Sequence, residues 1–174
     1  MKKRISTRKM CLLGLFAAIT VILGMFATIR VGNLIKIPFK FITVFVVGAI
    51  YGPFSAGIVA AIADFFEALK LGVNPLITMV EFLGGVIFGL CFYKAKPNYA
   101  YYIRALVCAL LQFTISFTLM SLILKFMGIY PTFWSAVWTR MPAMAILFVC
   151  HMLVMCGGKR MIFNLKNYIK KEDL

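Results

Sequence analysis

The sequence predicts an all-α integral membrane protein, a six-transmembrane-helix bundle forming a single membrane domain over residues 1–174. Three observations lead there. Hydrophobic residues make up 63% of the chain and charged residues 14%, and the mean hydropathy is +0.98, far outside the range of a soluble domain. The apolar residues fall into runs near the length a bilayer requires, roughly 20 residues per helix. The basic residues cluster at the two ends, where they read as topology signals.

The first predicted helix covers 10–29. A basic stretch followed by an apolar run of about 20 residues with no A-x-A site reads as a retained helix, not a cleaved signal. The second, 40–51, is short for a span. Gly52-Pro53 parts it from the third, 54–71, because Gly suits the end of one helix and Pro the first turn of the next. These two form a helical hairpin. The remaining helices are expected at 75–93, 102–126 and 134–157.

The net charge of +14 comes from 19 basic against 5 acidic residues. In a soluble chain such a balance would point to nucleic acid. Here ten of the basic residues flank the spans: Lys2, Lys3, Arg4, Arg8 and Lys9 before the first, and Lys159, Arg160, Lys166, Lys170 and Lys171 after the last. The lipid bilayer is therefore the expected partner, with no role for nucleic acid. Six spans with basic ends place both termini on the cytoplasmic side of a cell membrane, together with the connection near 94–101. The connections near 30–39, 72–74 and 127–133 fall outside.

Small residues recur four apart at Gly14 and Ala18, Gly48 and Gly52, Gly57 and Ala61, and Gly85 and Gly89. This spacing lets helices approach closely in lipid. Packing within the chain accounts for each pair, and the first could also face another subunit. The five cysteines lack C-x-x-C spacing and read as small apolar packers. His151 has no second ligand at metal spacing and reads as a packed histidine. Neither a metal nor a cofactor is expected.

Ionisable groups inside a span point to a cavity, a partner or an interface. Glu81 lies six residues after Pro75 and Arg140 six after Trp134, which places both about 9 Å below the outer ends of their helices. A matched pair between them is expected. Asp64, Glu67 and Lys70 climb one side of the third helix at i, i+3 and i+6. Arg30, Lys36 and Lys40 occupy the first outer connection, and Lys125 the outer end of the fifth helix. Basic residues on that side oppose the usual bias. An anionic ligand would explain them, and so would snorkelling to lipid phosphates. Aromatic residues at the same level, Trp134 and Trp138 among them, suit either stacking on a flat ligand or an ordinary interfacial belt. Pro142, two residues after Arg140, is expected to bend the sixth helix.

No Walker A sequence, H-E-x-x-H or G-x-S-x-G motif occurs. The chain is therefore read as a transport subunit and not an enzyme, with its energy supplied elsewhere.

Several stretches together resemble a known family: L-L-G-L-F-A-A-I-T-V-I-L (12–23), G-A-I-Y-G-P-F-S-A-G (48–57), I-A-D-F-F-E-A (62–68), G-V-I-F-G-L (85–90) and W-T-R-M-P (138–142). In this order they resemble the substrate-binding S component of an energy-coupling factor (ECF) vitamin transporter, most closely its folate family. The resemblance implies a six-helix bundle of the ECF S-component type in a bacterial cell membrane. Such a subunit captures a vitamin on the outer side under a gating first loop and passes it to an ATP-driven importer. It implies partnership with a transmembrane coupling subunit and two ATPase subunits, with Gly14 and Ala18 at the coupling contact. Arg140 maps to the Arg that holds a ligand carboxylate. The expected ligand is folate-like, with Glu81 supporting Arg140, Lys36 and Lys40 acting in the gate loop, Trp134 or Trp138 stacking, and Asp64 and Lys70 nearby. Riboflavin, thiamin or another small vitamin stays open as ligand, as does a small membrane enzyme acting on lipid through Asp64, Glu67 and Glu81.

Overall fold

A computed structural model describes residues 7–31, 35–69, 72, 74–93, 95 and 98–172. Among the described residues, seven helices and one β-hairpin follow in the order α1 (Thr7–Phe26), β1 (Thr28–Val31), β2 (Ile35–Pro38), α2 (Phe41–Tyr51), α3 (Pro53–Ala68), α4 (Pro75–Phe92), α5 (Ala100–Phe126), α6 (Phe133–Gly157) and α7 (Lys159–Glu172). Four of them, α1, α4, α5 and α6, are long and apolar enough to cross a membrane. The α2 helix has 11 residues and α3 has 16, or about 16 and 24 Å. They follow each other in series as a bent hairpin.

Two features depart from the expected six helices and loops. The first connection is an antiparallel hairpin pairing Thr28 with Pro38 and Val31 with Ile35. Its strands are T-I-R-V and I-K-I-P, with polar and apolar residues alternating through the first at the period of an extended chain. The basic tail after residue 158 is a seventh helix. There Ile162 is buried beside α2, and Lys166 Nζ donates to the Phe92 and Tyr93 carbonyls at 3.1 and 3.0 Å. Those two carbonyls belong to the unsatisfied last turn of α4, and burial pulls the Lys166 ammonium below the ordinary lysine range.

Local chemistry sets the helix boundaries. Asn74 Oδ1 accepts from Leu76 N at 3.0 Å, capping α4, and Pro75 occupies its first position. Gly52, at φ 97°, turns α2 into α3, a conformation that favours glycine. The turn then wedges against α4. A Cβ at Gly48 would lie 2.9 Å from Gly89 N, and one at Gly85 would lie 2.5 Å from the Ala56 carbonyl oxygen. Glycine at these positions is what lets the backbones meet.

The core sits on this junction. Phe45 packs edge-on against Phe88 and Phe92, and Phe92 against Tyr101. Tyr101 hydroxyl donates to the Met155 carbonyl at 3.0 Å, tying α5 to α6. Outside, Leu15, Ile22, Leu90, Leu106 and Leu153 are exposed, an apolar jacket suited to lipid and not to water. Between the hairpin end, with the 72–74 and 127–132 connections, and the terminal end, the bundle encloses two adjoining cavities.

Candidate functional site

The α2 helix starts inside the bundle, so Lys40, its N-cap residue, is drawn in with it. The residue is 5% exposed. Its Nζ lies 3.3 Å from Glu67 Oε1, 3.5 Å from Glu81 Oε1 and 3.8 Å from Asp64 Oδ1. Asp64 and Glu67 share a face of α3 at i and i+3, and Glu81 comes from α4 opposite. Thr78 donates to the second Asp64 oxygen at 2.7 Å. The backbone beneath Lys40 is fixed as well: Thr43 hydroxyl donates to the Lys40 carbonyl at 2.8 Å, and Thr20 of α1 lies 2.8 Å from Thr43 Oγ1. On α1, Gly24 makes room for Glu67, whose carboxylate would collide with any Cβ placed there.

This arrangement corrects two expectations. Lys40 is not a gate-loop charge at the surface but the shared counter-ion of three carboxylates. Glu81 is committed to Lys40 and does not pair with Arg140, although both line the same cavities. Equal depth along two helices leaves their rotation about the helix axes undetermined, and it is rotation that turns Glu81 toward α2. Lys40 also lies within ion-pair distance of both Asp64 and Glu67.

Arg140 enters from α6 on the other side. Its Nη1 is buried and has no hydrogen-bond partner among the described residues. Pro142, inside α6, cannot donate to the Trp138 carbonyl, which loosens the helix beside the guanidinium. Arg140, Lys40 and Glu81 mark the junction of the two cavities.

The deeper cavity, of about 110 Å³, is walled by Phe41, Phe88, Phe113, Phe148 and His151, with Gln112 and Ser116 as its polar groups on α5. His151 is 6% exposed and packs edge-on to Phe41 at 4.3 Å and to Phe88 at 5.6 Å between ring centroids. The cavity toward the hairpin end, of about 340 Å³, adds Asp64, Glu67, Gly72 and Asn74. No cluster of three or more His, Cys, Asp or Glu side chains among the described residues is placed to hold a metal ion. Lys40 fills the place between the carboxylates.

The expected aromatic partners lie elsewhere. Trp134 and Trp138 are 65% and 71% exposed and belong to neither cavity wall, which is consistent with an interfacial belt. The flat groups that do line the cavity are phenylalanines spread over α2, α4, α5 and α6. Single apolar aromatics in hydrophobic spans carry no sequence signal that separates cavity from core. Gln112 was legible in principle, as the one side-chain amide of α5. Lys36 lies on β2, paired in register with Arg30, and Lys70 lies outside the described residues. Gly14 and Ala18 sit on an exposed face of α1, and a Cβ at Gly14 would meet nothing within 4 Å.

Comparison with known proteins places this arrangement. The family described as the ECF transporter substrate-specific component matches residues 8–164. A folate transporter, FolT, of Clostridium novyi (strain NT) is 31% identical over 138 residues, covering 76% of this chain and 77% of that protein. A crystal structure of FolT bound with folic acid superposes with a TM-score of 0.75 at 30% identity, covering 86% of this chain and 91% of that one. These matches assign the chain to membrane transport and not to lipid catalysis: it belongs to the family of substrate-specific components of ECF transporters.

Proposed function

We propose that this chain captures folate, or a close folate analogue, from the outer side of a bacterial cell membrane and delivers it to an ATP-driven importer. One observation carries the reading: half-buried Arg140 holds a buried Nη1 with no hydrogen-bond partner among the described residues, on the wall of an aromatic-lined cavity. An uncompensated cation in a membrane interior is strongly unfavourable, and a ligand carboxylate is the group that would relieve it, since a guanidinium grips a carboxylate through a bidentate fork. Folate joins a flat pteridine to a dicarboxylate tail, and this site offers flat walls with a cation at their edge. Likeness to FolT, which has been seen with folic acid bound, supports the same ligand.

In this reading the hairpin end faces outward and the basic termini face the cytoplasm, with α2 and α3 completing six passages together with the four long helices. Lys36 and Lys70 add to the positive field at the entrance. Lys40, Asp64 and Glu81 form the site's internal scaffold, and Glu81, whose side chain is 33% exposed, is the carboxylate most able to reach a ligand donor. The exposed Gly14 and Ala18 face of α1 receives the coupling subunit, which carries the two ATPases. Arg140→Ala is expected to weaken folic acid binding by the purified protein at least tenfold. Unchanged affinity would remove Arg140 from the site.

A further inference from the structure

The α6 helix ends at Gly157, and a Cβ at Gly158, between it and α7, would lie 3.3 Å from the Phe45 ring of α2. From there Lys159 Nζ sits 4.6 Å from the centre of the Tyr102 ring, and Phe163 packs edge-on to Tyr101 at 6.0 Å between centroids, both on the first turn of α5. Lys166 then reaches the last carbonyls of α4. The path from Lys159 to Lys166 is about 10 Å of helix, and over it the chain passes the ends of α2, α5 and α4. The α7 helix therefore lies across the terminal end of the bundle, close to the membrane plane.

Ile162 and Phe163 turn toward the bundle, which leaves a second apolar stripe without a partner in the chain. Met161, Leu165 and Tyr168 stand at i, i+4 and i+7; Met161 and Tyr168 are exposed and Leu165 is half-buried. Arg160 is exposed as well, and the helix carries Lys159, Arg160, Lys166, Lys170 and Lys171 against Glu172 alone. Tyr93, Tyr99 and Tyr102, at the neighbouring ends of α4 and α5, are also exposed, and tyrosines gathered at one end of a bundle mark the level of the lipid headgroups. At that level an apolar stripe meets acyl chains and a cation meets phosphate. We propose that α7 is an interfacial helix that binds anionic phospholipid of the leaflet at the terminal end, with Met161, Leu165 and Tyr168 set among the acyl chains and Arg160 on a lipid phosphate. The stripe and the tyrosines fix the depth of the helix, and its cations then face the one anionic group found at that depth on every side. Neither the identity of the ligand nor which leaflet is cytoplasmic enters this assignment.

The test follows amide hydrogen exchange of α7 in the full chain, held in bilayer nanodiscs of phosphatidylcholine alone or of phosphatidylcholine mixed with phosphatidylglycerol. Exchange is expected to be slower by about fivefold in the anionic discs, the change that one cation beside an anionic surface confers, and to speed up again as salt is added. Arg160→Glu is expected to abolish the difference between the two compositions while leaving the thermal midpoint in detergent unchanged. If that variant does not fold, Arg160→Gln carries the same comparison. Met161→Gln is expected to speed exchange in both compositions, because it removes an apolar contact with the acyl chains. Equal exchange of the wild-type protein in the two kinds of disc overturns the assignment, as does a lipid dependence that survives the Arg160 substitution. Protection of α7 in phosphatidylcholine discs by added inorganic phosphate would assign the cations to a free anion instead, and protection that arises only when other importer subunits copurify would assign them to a protein surface; either overturns the lipid assignment.

Discussion

Lys40 is where the residue scale departs furthest from what the chain suggests when read in order. Three carboxylates lie within 4 Å of one ammonium in a bundle interior. Removing one partner of a buried ionic group leaves uncompensated charge and typically costs about 3–5 kcal/mol. Lys40→Met, which keeps the stem and strands three carboxylates, is therefore expected to destabilise the protein by about that much, read as a lower thermal midpoint in detergent. Glu81→Gln is expected to shift the midpoint far less, because Asp64 and Glu67 still hold the lysine and Glu81 is the most exposed of the three. Equal effects would mean the cluster is not organised around Lys40. Of this cluster, the sequence made the common face of Asp64 and Glu67 legible, because helical period is a local property. It did not reveal the lysine 24 residues before Asp64, because that pairing depends on α2 starting inside the bundle. For the same reason depth paired Glu81 with Arg140, and the folded chain does not.

At the scale of the element, identical spacing of small residues serves opposite purposes. Gly48, Gly85 and Gly89 lie at the crossing of α2, α3 and α4, and the atoms nearest them are largely backbone, which cannot move aside. Gly14 faces open space. Gly85→Leu is expected to cost about 1–3 kcal/mol through overpacking, whereas Gly14→Leu is expected to leave both thermal stability and folic acid binding unchanged and to prevent copurification of the coupling subunit. A destabilised Gly14→Leu protein, or one that still copurifies, would contradict a partner-facing α1. The pattern was visible in the sequence, but which pairs face inward was not, since all four occur in equally apolar helices. The α7 helix was hidden for another reason. Its Lys and Arg residues dominate composition, and the apolar stripe through Ile162 and Phe163 emerges only when it is wrapped at 3.6 residues per turn. Boundaries were better specified, because Gly52-Pro53 and Asn74-Pro75 act on the backbone directly.

For the whole molecule, the sequence supports a polarity that the fold turns into a path. Lys9 and Lys159 lie over Tyr51 and Tyr102 at the terminal end, and the opposite end carries the β-hairpin and opens into the larger cavity. From there a ligand would meet the Lys40 cluster and Arg140 before the aromatic chamber around Gln112. The hydrophobicity and the membrane-spanning helices α1, α4, α5 and α6 were legible because lipid demands apolar, internally hydrogen-bonded spans. The chamber was not, because it is made by phenylalanines from four helices that resemble core residues until the helices are brought together. The account stands on the capture of a folate by this chamber, and equilibrium binding of folic acid to the purified wild-type protein, with riboflavin and thiamin as competitors, tests it most directly. Saturable binding at one site that neither competitor displaces is the predicted result. Absence of saturable binding, or displacement by riboflavin or thiamin, would contradict it.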